Sequence, residues 1–159
     1  MLPIARSLGN SNLNLQLIMI CGRNRTLLAR LQRLKTKNKI VLEGFTKEIP
    51  RYMSVADFFI GKPGPGSISE ALKLNLPVIV ERNAWTLPQE RYNAQWIREQ
   101  GVGIVLKNFR KIDEAVATVL GNGELAAMRA QIATMENRAV FEIPPILAGI
   151  LEKRGQRGQ

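Results

Sequence analysis

Five short runs of nearly continuous apolar residues constrain this chain most: 15–21 (LQLIMIC), 39–45 (KIVLEGF), 57–61 (DFFIG), 77–81 (PVIVE) and 103–106 (GIVL). They are too short for helices and lack the in-out alternation of a strand with one wet face. Runs of this kind are strands buried on both faces, which occur in parallel sheets covered by helices. The segments between them have helical character. In 24–35, Leu27, Leu28, Leu31 and Leu34 form one stripe and the arginines lie elsewhere, which predicts an amphipathic helix. Further helices are expected over 48–56, 67–75, 88–100, 112–120, 124–136 and 146–153. Met1, Ile4, Ala5 and Leu8 also fall at helical spacing and stop at Gly9, like the end of a helix.

Strand and helix in alternation predict an α/β, Rossmann-like domain: a parallel sheet with helices on both faces. Its 159 residues are enough for one domain, taken as 1–153, with a polar tail at 154–159 expected to be disordered. In such sheets ligands bind beyond the carboxyl ends of the strands, in the loops that enter helices.

Composition removes several chemistries. There is no histidine, so imidazole acid–base catalysis, Ser-His-Asp triads and His-ligated metals are excluded. The lone cysteine, Cys21, rules out an internal disulfide and multi-cysteine zinc sites, and its place at the end of a buried strand makes it a core residue. Charge is uneven. The net charge is +10, of which +8 lies before Glu43, the first acidic residue. Arg23, Arg25, Arg30, Arg33, Lys35, Lys37 and Lys39 crowd into one stretch that suits an anionic surface, although Arg23 or Arg25 can instead point toward a ligand pocket. No aromatic residues are interleaved with these bases, so nucleic acid is not expected as a partner. No apolar run reaches the ~20 residues of a membrane span. The start lacks the layout of a signal peptide. The expected location is the cytoplasm, or the cytoplasmic face of a membrane as a peripheral protein.

Two loops carry the chemical interest. In 57–77 (DFFIGKPGPGSISEALKLNLP), a strand ends at Gly61, and Gly64 and Gly66 leave room for a ligand beside the backbone. Ser67 stands where a helix N-cap belongs, with Glu70 at capping-box spacing. A helix start of this kind also suits a diphosphate. Ser-x-x-Glu is equally the mark of a plain capped helix. In the second loop, Gln89, Glu90 and Asn93 open a helix, with Gln89 and Asn93 on one face, where amides and a carboxylate can hold sugar hydroxyls. Trp85, in the same loop, either stacks on a ligand or covers an apolar pocket edge. Arg91 and Arg98, on the helix that follows, face either solvent or a site.

The order GPGSISEALKLNLPVIV (64–80), a proline-containing loop, then QERYN (89–93) resembles the nucleotide-sugar half of a family of glycosyltransferases with two Rossmann-like domains. That family includes the diacylglycerol galactosyl- and glucosyltransferases and the peptidoglycan N-acetylglucosaminyltransferase. ICGRN (20–24), Gly44-Phe45, Met53 and Ala56-Asp57 extend the likeness upstream, over about residues 1–110. Pro88 departs from it, standing where the lipid-specific members have Gly before Gln-Glu. So does the loop 83–87.

The resemblance implies that Glu70 binds the ribose hydroxyls and that Gly64, Pro65, Gly66 and Ser67 face the diphosphate of a UDP-sugar. Gln89, Glu90 and Asn93 would serve the sugar, and Phe45, Thr46 and Ile49 would frame the uracil. Neither a cofactor nor a metal is implied. The acceptor, a lipid or another glycan hydroxyl, and the catalytic base belong to a separate N-terminal domain or partner subunit, so no catalytic residue is expected in this chain. The family's donor domain opens with a strand and a Gly-rich loop before the helix at Met1–Leu8. The chain is therefore expected to start one β-unit late, lacking the central strand of a 3-2-1-4 order. The function implied is donor binding in an inverting hexosyltransferase. A non-catalytic nucleotide-binding subunit of a two-subunit glycosyltransferase and half of a nucleotide-sugar epimerase are the alternatives.

Overall fold

The computed structural model describes residues 1–156. Its elements are α1 (Leu2–Asn10), β1 (Gln16–Ile20), α2 (Arg25–Gln32), β2 (Lys39–Glu43), α3 (Ile49–Ser54), β3 (Phe59–Gly61), α4 (Pro65–Lys73), β4 (Val78–Glu81), α5 (Pro88–Glu99), β5 (Gly103–Leu106), α6 (Ile112–Leu120), α7 (Glu124–Ala133) and α8 (Ala139–Gln156), with a 3₁₀ turn, Phe109–Lys111, before α6. All five expected strands are present and every pairing is parallel.

They form two sheets rather than one. β1 pairs with β2, Leu17 opposite Ile40, while β4 runs between β3 and β5, with Ile79 opposite Ile60 and Ile104. β1 and β3 thus each keep an unpaired edge.

Alternate residues of the three-stranded sheet feed two cores. Phe58, Ile60, Ile79, Ile104 and Leu106 meet α1, α2, α6 and the inner face of β1–β2. Phe59, Val78, Val80 and Val105 meet α3, α4, α5 and the end of α7. The three-stranded sheet is therefore covered on both faces. β1–β2 is covered on one: Leu17, Met19, Ile40 and Leu42 pack inward, whereas Ile18 and Val41 on the other face are each 37% exposed.

α1 bridges the two sheets on the first face, burying Ile4, Ala5, Leu8 and Gly9. Its last carbonyls, which no helical N–H can reach, are taken by Asn38: the side-chain amide donates to Leu8 O at 2.7 Å and the backbone N–H to Gly9 O at 2.9 Å. The leucine stripe of α2 packs in the same core, so its bases face outward, as the periodicity predicts.

Boundaries moved in two instructive places. α4 begins at Pro65 rather than Ser67, because proline's fixed φ and missing N–H suit the first helical position. α8 begins at Ala139, not 146, and runs through Pro144 and Pro145. Each proline removes one backbone bond to the carbonyl four residues back, yet the helix continues through both. α8 also carries helix through Gln156, into the expected tail; residues 157–159 lie outside the described residues.

The register of the central sheet depends on Gly103. A Cβ there would lie 2.0 Å from Val78 O and 2.8 Å from Val78 Cγ2. The obstacle is a backbone oxygen in a fully buried strand, so it cannot step aside. Gly103→Ala should lower unfolding free energy by about 1–3 kcal/mol, the usual cost of overpacking, measured by urea denaturation. A change below 0.5 kcal/mol would show that β4 and β5 can separate at no cost.

Candidate functional site

The loops singled out by sequence leave the carboxyl ends of β2, β3 and β4. After β3 the chain passes through Pro63, which is fully buried, to Gly64, the N-cap of α4, with φ −71° and ψ 134°. Gly64 has no side chain to cap the helix, and Ser67 does not cap it either. Ser67 is the third helical residue, so the capping box expected of Ser67 and Glu70 is not formed. The N–H groups of Gly66 and Ser67 are left without intrahelical acceptors.

Neither glycine is required by the fold. Gly66 has no neighbour within 4 Å of a built Cβ, and at Gly64 the nearest is Glu90 Oε1 at 3.8 Å; neither has a positive φ. A side chain would find room at either position. Glu70 sits one turn further along, exposed and without a hydrogen bond or ion pair among the described residues. Positions 66 and 70 lie four apart on α4 and share a face of the helix.

The loop after β4 is a compact turn. Asn83 N–H donates to Thr86 Oγ1 at 2.9 Å, Trp85 N–H to Asn83 Oδ1 at 2.9 Å and Thr86 N–H to Asn83 O at 3.1 Å. Trp85 is 92% exposed, so it covers no apolar edge. Leu87 is the N-cap of α5 and Pro88 its first residue, so proline here does the same work as Pro65 in α4. Gln89 is exposed, while Glu90 is half-buried, its Oε1 against the start of α4. Asn93 Nδ2 donates to Pro63 O at 2.9 Å. The structure thus brings Gly64, Glu90 and Asn93 together, and Asn93 is the tie between the two loops.

The third loop belongs to the other sheet. Glu43 accepts from Gly44 N–H at 3.1 Å and from the Tyr52 hydroxyl at 2.6 Å, fixing the turn into Phe45. That bond, with some burial, raises the Tyr52 pKa above the ordinary phenol value. Phe45 is 58% exposed, and the Arg23 guanidinium stands 4.7 Å above its ring. Thr46 Oγ1 accepts from Glu48 N–H at 2.9 Å. Ile49 is half-buried and packs in the core that holds Ile68 of α4. No hydrogen bond joins this loop to Gly64–Glu70 among the described residues. Tyr52 gave no signal in the sequence, since its role depends on Glu43 across the loop.

Cys21 is buried, and burial pushes its thiol pKa up, which fits packing rather than nucleophilic chemistry. Among the described residues no group of three or more His, Cys, Asp or Glu is placed to hold a metal ion.

Comparison with known proteins bears on these loops as a set. Residues 1–142 match the glycosyltransferase family 28 C-terminal domain. The chain is 37% identical over 131 residues to a probable monogalactosyldiacylglycerol synthase 3, chloroplastic, of Oryza sativa subsp. japonica, covering 80% of the chain and 25% of that protein. It is 36% identical over 124 residues to the chloroplastic monogalactosyldiacylglycerol synthase of Spinacia oleracea, covering 74% and 23%. The chain spans about a quarter of the length of these relatives. In three dimensions it is similar to the crystal structure of the glycotransferase of kitacinnamycin, with a TM-score of 0.50 at 14% identity over 80% of the chain and 40% of that protein. That likeness is one of fold.

Because the fold does not need a glycine at 66, Gly66→Ala should leave the protein folded and raise its unfolding free energy by about 0.5–1 kcal/mol, the ordinary gain of alanine over glycine in a helix. Thermal denaturation followed by circular dichroism checks this. A loss of stability would mean that the backbone at 66 is constrained in a way the open space does not reveal.

Proposed function

The chain belongs to the glycosyltransferase family 28 C-terminal domain family, and we propose that it binds the UDP-sugar donor of an inverting glycosyltransferase whose acceptor is a lipid. The observation that carries this reading is the opening at the start of α4. Two glycines that the fold does not require leave the helix N-terminus bare, and the unpaired, exposed carboxylate of Glu70 stands one turn along the same helix. Oriented N–H groups and the helix dipole favour a diphosphate there without a metal. Glu70 accepts from the ribose hydroxyls, Gln89 and Glu90 from the sugar, and Asn93 supports them by holding Pro63. Phe45, braced by Arg23, and Thr46 receive the uracil, with Ile49 behind.

In the reaction the acceptor oxygen attacks the anomeric carbon as the bond to the diphosphate oxygen breaks, and a base outside this chain takes the acceptor proton. The helix start stabilises the charge that develops on the leaving UDP. A lipid acceptor draws support from the names of the relatives, which are synthases of a diacylglycerol galactolipid. Docking on an acceptor-binding domain or subunit draws support from α8, where Phe141, Ile143, Ile146, Leu147, Ile150 and Leu151 are exposed. Apolar surface in such quantity is what a helix shows when its cover is another domain.

Titration calorimetry of UDP into the chain, without metal, tests the donor site. UDP should bind more tightly than ADP. Glu70→Ala should weaken it by about 1.5–3 kcal/mol, the range for hydrogen bonds to a charged group. Gly66→Ala should weaken it while the fold holds, and Gln89→Ala should leave it nearly unchanged. Equal affinity for UDP and ADP would remove the base assignment, and an unaffected Glu70→Ala protein would remove the ribose role.

The outer surface of α2 and the segment after it is the proposed membrane contact, on the cytoplasmic face as a peripheral protein. Among the described residues no helix is long and apolar enough to cross a membrane. Arg25, Arg30, Arg33, Lys35, Lys37 and Lys39 are exposed and form no ion pair among the described residues, whereas Arg23 is engaged over Phe45. Each base near an anionic bilayer contributes about 1 kcal/mol. Co-sedimentation with anionic vesicles should be strong at low salt and lost at high salt. Equal binding to neutral vesicles, or none to either, would exclude the contact.

A further inference from the structure

On the β5 side of the loop that follows β4 lies an open cavity of about 440 Å³, lined by Arg82, Asn83, Ala84, Arg91, Arg98, Val105, Leu106 and Lys107. Three arginines and one lysine line it, and no acidic residue does. Among the described residues none of the four has a carboxylate within ion-pair distance. Four like charges around one small space repel one another, and an anion that enters relieves this. Guanidinium forks match the oxygens of a phosphate in pairs, and cavities of this volume are of ligand-binding size.

The cavity is preformed on one wall. Arg91 Nε donates to Thr86 O at 3.2 Å and its Nη2 to Ala84 O at 3.4 Å, so the guanidinium is held against the loop with donors to spare. Arg91 and Arg98 are seven residues apart on α5 and share a face. Glu90, on the next face round, turns the other way, toward Gly64. α5 thus separates two spaces: the Gly64–Glu70 opening on one side, and this basic cavity, beside the edge strand β5, on the other.

We propose that the cavity is a second anion site, which takes a phosphate ester on Arg82, Arg91, Arg98 and Lys107, separate from the donor site. The phosphate belongs either to a small soluble molecule or to a lipid headgroup, since both offer the same oxygens. Trp85, on the loop that forms the wall, reports occupancy by its fluorescence.

Inorganic phosphate titrated into the chain should change tryptophan emission saturably, and the change should be lost in a Trp85→Phe protein, which keeps only the half-buried Trp96. Arg98→Gln and Lys107→Gln should each weaken phosphate about fivefold, the scale of one exposed charge pair, and the double substitution more. Circular dichroism verifies that both stay folded. Lys35→Gln with Lys37→Gln should have no effect, and Gly66→Ala, at the other anion-binding opening, should leave phosphate affinity unchanged. Phosphatidylglycerol vesicles that bind more tightly than phosphate, with the same loss in Arg98→Gln, would assign the site to a headgroup. Vesicle binding indifferent to Arg98→Gln, with phosphate still sensitive to it, would assign it to a soluble ester. The proposal is overturned if phosphate does not saturate, if the Lys35/Lys37 protein loses as much as the cavity variants, or if Gly66→Ala weakens phosphate as much as Arg98→Gln does. Because Arg98 and Lys107 lie outside the Glu70 site, failure here leaves the donor reading standing.

Discussion

Val78, Ile79 and Val80 have no solvent exposure on either face of β4, and the site loops take their positions from that burial. Fully burying an aliphatic side chain contributes roughly 1.5–3 kcal/mol, and three in succession hold the strand against sliding. A slip of one residue would exchange Ile79 for Val78 or Val80 between two cores of different shape. With β4 held, β3 and β5 are placed by their ladders, and the loops after β3 and β4 emerge side by side at one end. Asn93 then needs only one hydrogen bond, to Pro63 O, to join them. That bond sits on a buried proline, a residue with no N–H of its own to satisfy.

α5 presents different chemistry on its two sides. Ala94 and Ile97 are buried and anchor the helix. Glu90 and Asn93 face the start of α4, a place of bare N–H groups, where a carboxylate and amides are at home near positive dipoles. Arg91 and Arg98 face the β5 edge, with Arg82 and Lys107 opposite. The same 3.6-residue repeat that buries one stripe therefore distributes acid and base to separate spaces. Neither group neutralises the other, and both remain available to ligands.

Local rules are broken where ligands are expected. A helix start without a side-chain cap gives up about 1 kcal/mol, and glycine at the second helical position gives up more. Asn38 closes α1, Asn24 caps α2 through Leu27 N–H, and Gly101 ends α5 in the left-handed conformation, whereas α3, α5, α6 and α7 start, like α4, without a side-chain cap. What sets the start of α4 apart is its pair of glycines, neither of which the fold requires.

The five apolar runs determined five parallel strands, because a run apolar on both sides has only a covered parallel sheet to enter. The leucine spacing of α2 likewise determined which side of that helix is basic. Gly64, Gly66, Glu70, Gln89, Glu90 and Asn93 were legible as two loops, since turn residues and amides keep their character wherever they stand. Three things were decided only by packing. Ser67 lost the N-cap to Gly64, because Pro65 could open the helix two residues earlier. The strands divided into two sheets, a matter of which edges meet and not of which residues are apolar. Arg82, Arg91, Arg98 and Lys107 became one cavity, although they are spread over 26 positions of the sequence. Local sequence records the preference of each short segment, but the convergence of charges from β4, α5 and β5 exists only once the sheet has brought their ends together.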